Sequence, residues 1–172
     1  MAWVAPEVAR HDEPFVGGER ETLRGFLQYG RESLLLRCAG LNSEQLVLRS
    51  APPSSLSLLG LVRHASDVER TWLRRRMARQ DVPLLYATRD APDAAFDGTQ
   101  ARRAEEDFAQ LLAEWGAADE AVAPIDLDAT CESPTWGELS LRWVYLHLIR
   151  EYAGHCGQAD LIRERIDGRT RF

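Results

Sequence analysis

Proline- and glycine-rich breaks divide the chain into four long stretches whose apolar side chains recur at helical spacing. A chain patterned this way buries its apolar faces by packing helix against helix. The first stretch runs from Gly18 to Ala39, where Gly40-Leu41 closes it, and Asn42-Ser43-Glu44-Gln45 reads as the cap of a short extra helix. Ser50-Ala51-Pro52-Pro53-Ser54-Ser55 then interrupts the chain before the second stretch, Ser57 to Ala78. A linker rich in Pro and Asp, Asp81 to Gly98, leads to the third, Thr99 to Val122, which Pro124 stops. The fourth runs from Trp136 to Ile166, with Thr135 and Glu138 at capping-box spacing around its start and Asp167-Gly168 at its end. No stretch reads as a strand. The expected fold is all-α, a four-helix bundle in which the 81–98 linker is a long crossover between helices two and three, permitting two neighbours to run parallel.

The length of 172 residues fits one domain, 1–172, with 1–17 an irregular N-terminal extension. An apolar fraction of 45% is enough for a real core. No apolar run is long enough to span a bilayer, so no membrane partner is expected. Met1-Ala2-Trp3-Val4-Ala5-Pro6-Glu7 lacks the basic and apolar regions of a secretory signal. The three cysteines, Cys38, Cys131 and Cys156, are too scattered for a disulfide framework or a thiolate zinc site. These features point to a reducing, cytoplasmic compartment. A net charge of −6 argues against a nucleic-acid partner. The arginine-rich run from Arg70 to Arg79 reads as a helix end, where cations complement the macrodipole, or else as a patch that attracts an anion.

Chemistry concentrates on two helices. On the fourth, Leu141, Val144, Leu148, Tyr152, Ala159, Ile162 and Ile166 form one apolar stripe at 100° per residue. Glu151 and His155 lie within or beside it, one turn apart. A carboxylate facing a core is costly unless something pairs with it, and a metal ion would satisfy both side chains. On the second, Leu61, Ala65, Val68 and Trp72 mark the apolar side, and His64 sits beside them. If the stripes face one another, His64, Glu151 and His155 form a two-imidazole, one-carboxylate set suited to Zn²⁺, Ni²⁺ or Fe²⁺, with a position left for water or substrate. Plainer readings stand beside this one: His64 as a hydrogen-bonded core residue, and Glu151/His155 as an ordinary i,i+4 contact. His147 is one turn before Glu151, but eight residues separate the two histidines, about 12 Å of rise, so both cannot easily share an ion. His147 falls nearer the polar flank and reads as a supporting group. His11 is expected to be solvated, and Cys156, 100° around from His155, to be a packing residue.

Four segments resemble a known group: Glu19 to Leu27, Pro52 to His64, Val68-Glu69-Arg70-Thr71-Trp72, and Leu146 to Leu161 with its core Glu151-Tyr152-Ala153-Gly154-His155-Cys156-Gly157-Gln158. They are similar to the DinB/YfiT-like superfamily, nearest the actinobacterial DinB-like branch related to mycothiol-dependent maleylpyruvate isomerase, over most of Glu19 to Gly168. The resemblance implies a four-helix bundle with a long crossover. It also implies a metal triad of one histidine on helix two and a pair on helix four, which carries over to His64, Glu151 and His155. Many members have three histidines; Glu151 in the first place of the pair follows the mycothiol-dependent branch and lowers the charge of the centre by one. The resemblance further implies a mycothiol-like thiol as cosubstrate and an electrophilic partner, in S-transfer or thiol-assisted isomerisation. Tyr152 and Asp160 are candidates to support the site, against plainer roles as a core aromatic and as a surface or interhelical hydrogen-bonding group. Arg63 could meet a carboxylate, against the ordinary expectation of a solvated face. The alternatives are a non-catalytic metal- or small-ligand-binding bundle, such as one serving a stress response, or a structural bundle with an empty site. A homodimer is expected because helical bundles of this size often pair through a helical face.

Overall fold

The computed structural model describes residues 3–172, so Met1 and Ala2 of the expected N-terminal extension lie outside the described residues. The structure is predominantly helical. Helix α1 spans Glu19–Cys38, α2 Ser43–Leu46, α3 Leu58–Glu69, α4 Ala94–Asp97, α5 Ala104–Val122 and α6 Leu141–Asp167. The short α2 carries the capping box expected of it: the Asn42 side chain accepts from Gln45 N–H while Gln45 Oε1 accepts from Asn42 N–H. Val4, ahead of α1, pairs with Asn42 as an isolated bridge.

Two expectations need correction. The chain does contain strands: β1, Thr130–Ser133, pairs antiparallel with β2, Gly137–Ser140, in the register Cys131 opposite Leu139. Alternation buries Cys131, Ser133 and Leu139 on one face. Four-residue strands are too short to show a period of two convincingly. The hairpin also takes the segment assigned to the start of the fourth helix. Thr135 N–H goes to Ser133 Oγ, Glu138 accepts from Thr130 Oγ1 at 2.8 Å across the hairpin, and the cap of α6 is Ser140, which accepts from Trp143 N–H. Thr135 and Glu138 therefore have capping-box spacing without a helix to cap.

The second long helix is not uniform. After Glu69 it continues as a π-helical segment, Arg70–Met77, closed by the i+5 bond of Ala78 N–H to Leu73 O. Its arginines do more than end a helix. Arg70 and Arg74 both reach Glu114 of α5, a carboxylate with no exposed side-chain surface, and Arg76 lies 4.5 Å over the Trp72 ring. The third long helix begins with a 3-10 turn, Ala101–Arg103, ahead of α5.

Packing sets α6 against α1 and α3, and α3 against α5. Leu27 and Leu34 of α1, Leu58, Leu61 and Leu73 of the α3 region, Leu111 of α5, and Leu141 and Leu148 of α6 share one core. The segment between α3 and α5 is fastened to α3 by two side chains one turn apart. Asp67 accepts the backbone N–H groups of Leu85, Tyr86 and Ala87, and Arg63 donates to the carbonyls of Ala94 and Gly98. Arg63 is thus buried, not on a solvated face. Its guanidinium bridges the carbonyls of the first residue of α4 and of Gly98 just beyond it, and lies 4.2 Å from the Tyr86 ring.

Candidate metal centre

His64 is presented by α3, whose first turn is capped by Ser57 Oγ accepting from Gly60 N–H. Glu151 and His155 are presented by α6, one turn apart. The interface is tight because α1 closes under it. At Gly30 an added Cβ would come within 2.8 Å of the Tyr152 Cβ, so only glycine lets α1 approach α6 at this level.

The three side chains converge. One potential ligand atom from each of His64, Glu151 and His155 lies within 4.8 Å of the others, and among the described residues this is the one group of His, Cys, Asp or Glu side chains so placed. The His64 and His155 rings meet edge to face, centroids 4.8 Å apart. Glu151 Oε2 is 3.5 Å from His155 Nε2. Leu34, Ala65, Val68 and Tyr152 complete the walls of a hollow of about 10 Å³, room for one ion or one water.

Electrostatics favour a ligand set. Burial, reinforced by neighbouring His155, pushes the His64 imidazole down to about 4, so at neutral pH it keeps a free lone pair. His155 Nδ1 is 2.8 Å from Gln158 Oε1. The other ring nitrogen, Nε2, is buried and has no hydrogen-bond partner among the described residues. An orphaned ring nitrogen beside a carboxylate oxygen and the His64 imidazole is costly as it stands. A divalent cation satisfies all three at once, so the residues present fit a metal.

The remaining sequence candidates divide plainly. His147 is corrected: it is 7% exposed rather than on a polar flank. It is walled by Trp72 and Trp136 and stacked on Trp143 at 5.0 Å, and its Nε2 faces Glu151 Oε1 at 3.9 Å. The hairpin carries Trp136 to this spot, which helical periodicity could not foresee. His11 keeps an exposed ring but is tied to Glu32 through both its backbone N–H and Nδ1. Asp160 pairs with Arg37 of α1, an interhelical bond away from the cluster. Tyr152 is a core aromatic whose hydroxyl donates to Glu69. Cys156 is buried, and burial pushes its thiol up to about 11, consistent with packing. Two neighbours of the triad had no role in the sequence reading. Gln158 holds His155, and its i+3 spacing was the available signal. Phe96 of α4 lies 5.0 Å from the His64 ring, with no local signal to find it.

The family model described as MST, mycothiol-S-transferase, matches residues 22–168, a span that contains all three converging side chains. No curated protein matches the chain. No helix of the described residues is long and apolar enough to cross a membrane.

Proposed function

We propose that this chain, which belongs to the mycothiol-S-transferase family, a DinB-like family, holds one divalent cation through His64, Glu151 and His155 and transfers the sulfur of a mycothiol-like thiol to an electrophile. The observation that carries the reading is the convergence of those three ligand atoms within 4.8 Å inside the matched span. Two nitrogen donors and one oxygen donor suit zinc first, with nickel or iron as alternatives. When bound, the cation supplies a Lewis-acid centre that favours the thiolate form of a thiol brought to it.

The chain's own residues do the rest. His64 is neutral at neutral pH and needs no proton removed before it donates a lone pair. Leu34, Ala65 and Val68 keep bulk water from the inner wall. Glu151, 32% exposed, marks the side from which a thiol arrives. A carboxylate in this position, in place of a third imidazole, would lower the charge of the centre by one and leave a bound cation less electrophilic. In the transfer the S–H bond breaks, its proton passes to solvent, and a C–S bond forms as the carbon sheds its leaving group.

The same reading takes the packing of α1, α3, α5 and α6 as a four-helix bundle whose 81–98 crossover joins the second helix to the third, and the chain as one domain. It places the protein in the cytoplasm, as a homodimer, with small molecules rather than nucleic acid as partners. A second reading, a non-catalytic module that binds an ion or small ligand, is favoured by one observation: the hollow at the triad, about 10 Å³, admits an ion but no thiol as it stands. Purification without chelators followed by elemental analysis tests the site; about one metal per chain is expected, and a chain without metal that also fails to take up added zinc ends the proposal. A panel of thiols against electrophiles with zinc supplied separates the two readings. Turnover that disappears in His64→Ala supports transfer, and tight zinc binding without turnover supports the module.

A further inference from the structure

We infer that two polar side chains on α6, Gln158 and Arg150, impose opposite tautomers on the imidazoles that flank Glu151, directing a lone pair of His155 toward a cation and denying one from His147. The inference rests on the reading of His64, Glu151 and His155 as a metal site. It addresses a puzzle in the sequence itself: His147 and His155 stand at the same i,i+4 distance on either side of Glu151, yet the converging group contains only one of them.

A neutral imidazole has one N–H and one lone pair, and the partner of either nitrogen decides which is which. Each histidine here meets the residue three places further along the helix. For His155 that residue is Gln158, whose Oε1, an acceptor, sits 2.8 Å from Nδ1. The proton is therefore held on Nδ1, and the lone pair is left on Nε2. That is the nitrogen found buried without a partner, 3.5 Å from Glu151 Oε2. Two lone-pair-bearing atoms so close repel unless something positive lies between them.

For His147 the residue three places on is Arg150, whose Nη2 is 3.0 Å from Nδ1. A guanidinium only donates, so Nδ1 is the acceptor and the proton is held on Nε2. Nε2–H then faces Glu151 Oε1 at 3.9 Å, an attractive orientation toward a carboxylate. Neither nitrogen of His147 has a lone pair to give. The ring is also held: Trp143 stacks on it at an 8° interplanar angle, and the Trp72 ring is 4.7 Å away. A symmetric His-x-x-x-Glu-x-x-x-His run is thus made asymmetric by an acceptor at one i+3 position and a donor at the other. Gln158 and Arg150 are positioning residues that act through the two rings.

The test uses the full chain, metal-free, with ¹⁵N-labelled histidine at about pH 8, above the ordinary imidazole range of about 6.5. Two-bond ¹H–¹⁵N correlations report the tautomer of each ring. Nδ1–H at His155 and Nε2–H at His147 are expected; the reverse pattern, or a mixture of tautomers at either ring, overturns the inference. Zinc affinity, measured against a chromophoric chelator, supplies the second readout. Gln158→Leu is expected to weaken zinc binding about 10- to 100-fold. Gln158→Glu, whose carboxylate also accepts from Nδ1–H, is expected to restore it. Equal losses in both variants, or a loss in neither, count against a positioning role. If the wild-type chain binds no zinc, the metal reading fails, while the ring tautomers still decide this inference.

Discussion

Two polar clusters lie side by side between α1, α3 and α6, and they are built on opposite principles. The first centres on Arg31 and Glu69, side chains only 2% and 0% exposed. Arg31 Nε and Nη2 both donate to the Glu69 carboxylate, Nη1 and Nη2 to Asp119, and Nη1 also to Gln28. Tyr152 donates to Glu69 and accepts from Trp115 Nε1–H at 3.0 Å. The guanidinium has used its full fork of donors. The second cluster, His64, Glu151 and His155, sits one turn away on the same helices and leaves a buried ring nitrogen unpaired. The contrast separates buried polarity that joins helices from buried polarity that awaits a ligand. A network that closes on itself has no unmet demand, whereas an open one is destabilising until something enters.

The sharpest way to break this comparison is to open the closed network. Glu69→Ala leaves Arg31 buried with two of its five hydrogen bonds gone, and a loss of about 3–5 kcal/mol in unfolding free energy is expected by chemical denaturation. A loss under about 1 kcal/mol would mean the network is not structural, and the distinction between the two clusters would fall. The converse experiment is His64→Ala. It is expected to weaken zinc binding on the order of 100-fold, about 2.8 kcal/mol, by competition titration. The metal-free variant should melt no earlier than the wild type, because removing the His64 ring that packs on His155 lets water reach the unpaired His155 Nε2. Strong destabilisation of the metal-free chain instead would place His64 with the structural residues.

The two clusters were not equally legible in the sequence. Glu151 and His155 share a helix one turn apart beside an apolar stripe, and His64 lies on the apolar side of a second helix. Periodicity therefore put each beside an apolar stripe, and the packing of α3 on α6 is what brings the two stripes together. The four long helices emerged for the same reason. Arg31, Glu69 and Asp119 come from three helices far apart in the chain, and nothing local marks a charged residue as half of a buried pair. The burial of His147 and Arg63 was hidden likewise, because their neighbours come from a hairpin and from the segment after α3. Trp136 reaches His147 only because four-residue strands turn the chain where a helix was expected. Local rules found what one helix face decides and missed what distant segments bring to it.

Tyr152 joins the two clusters: its hydroxyl belongs to the closed network while its ring lines the hollow at the triad. Gly30→Ala pushes first on that residue, since the new methyl would lie 2.8 Å from the Tyr152 Cβ. Overpacking of this kind costs about 1–3 kcal/mol, partly offset by the better helix propensity of alanine. Both stability and zinc affinity are expected to fall. A fall in stability with zinc affinity unchanged would show that the clusters are mechanically independent despite sharing a wall.

The smallest effect tests whether the α6 backbone itself contributes to the open site. Gly154 precedes His155, is exposed, and has no atom within 4 Å of where a Cβ would be. In the middle of a long helix, Gly154→Ala is expected to raise stability by about 0.5–1 kcal/mol, read as a shift in the denaturation midpoint, because the unfolded chain loses conformational freedom. Zinc affinity should stay the same. His155 is already oriented by its bond to Gln158, and stiffening the next residue leaves the ring no better aimed. Tighter zinc binding in Gly154→Ala would show that the metal-free helix frays here and that ordering it is part of the cost of binding. In that case the open cluster is unsatisfied in its backbone as well as in its side chains.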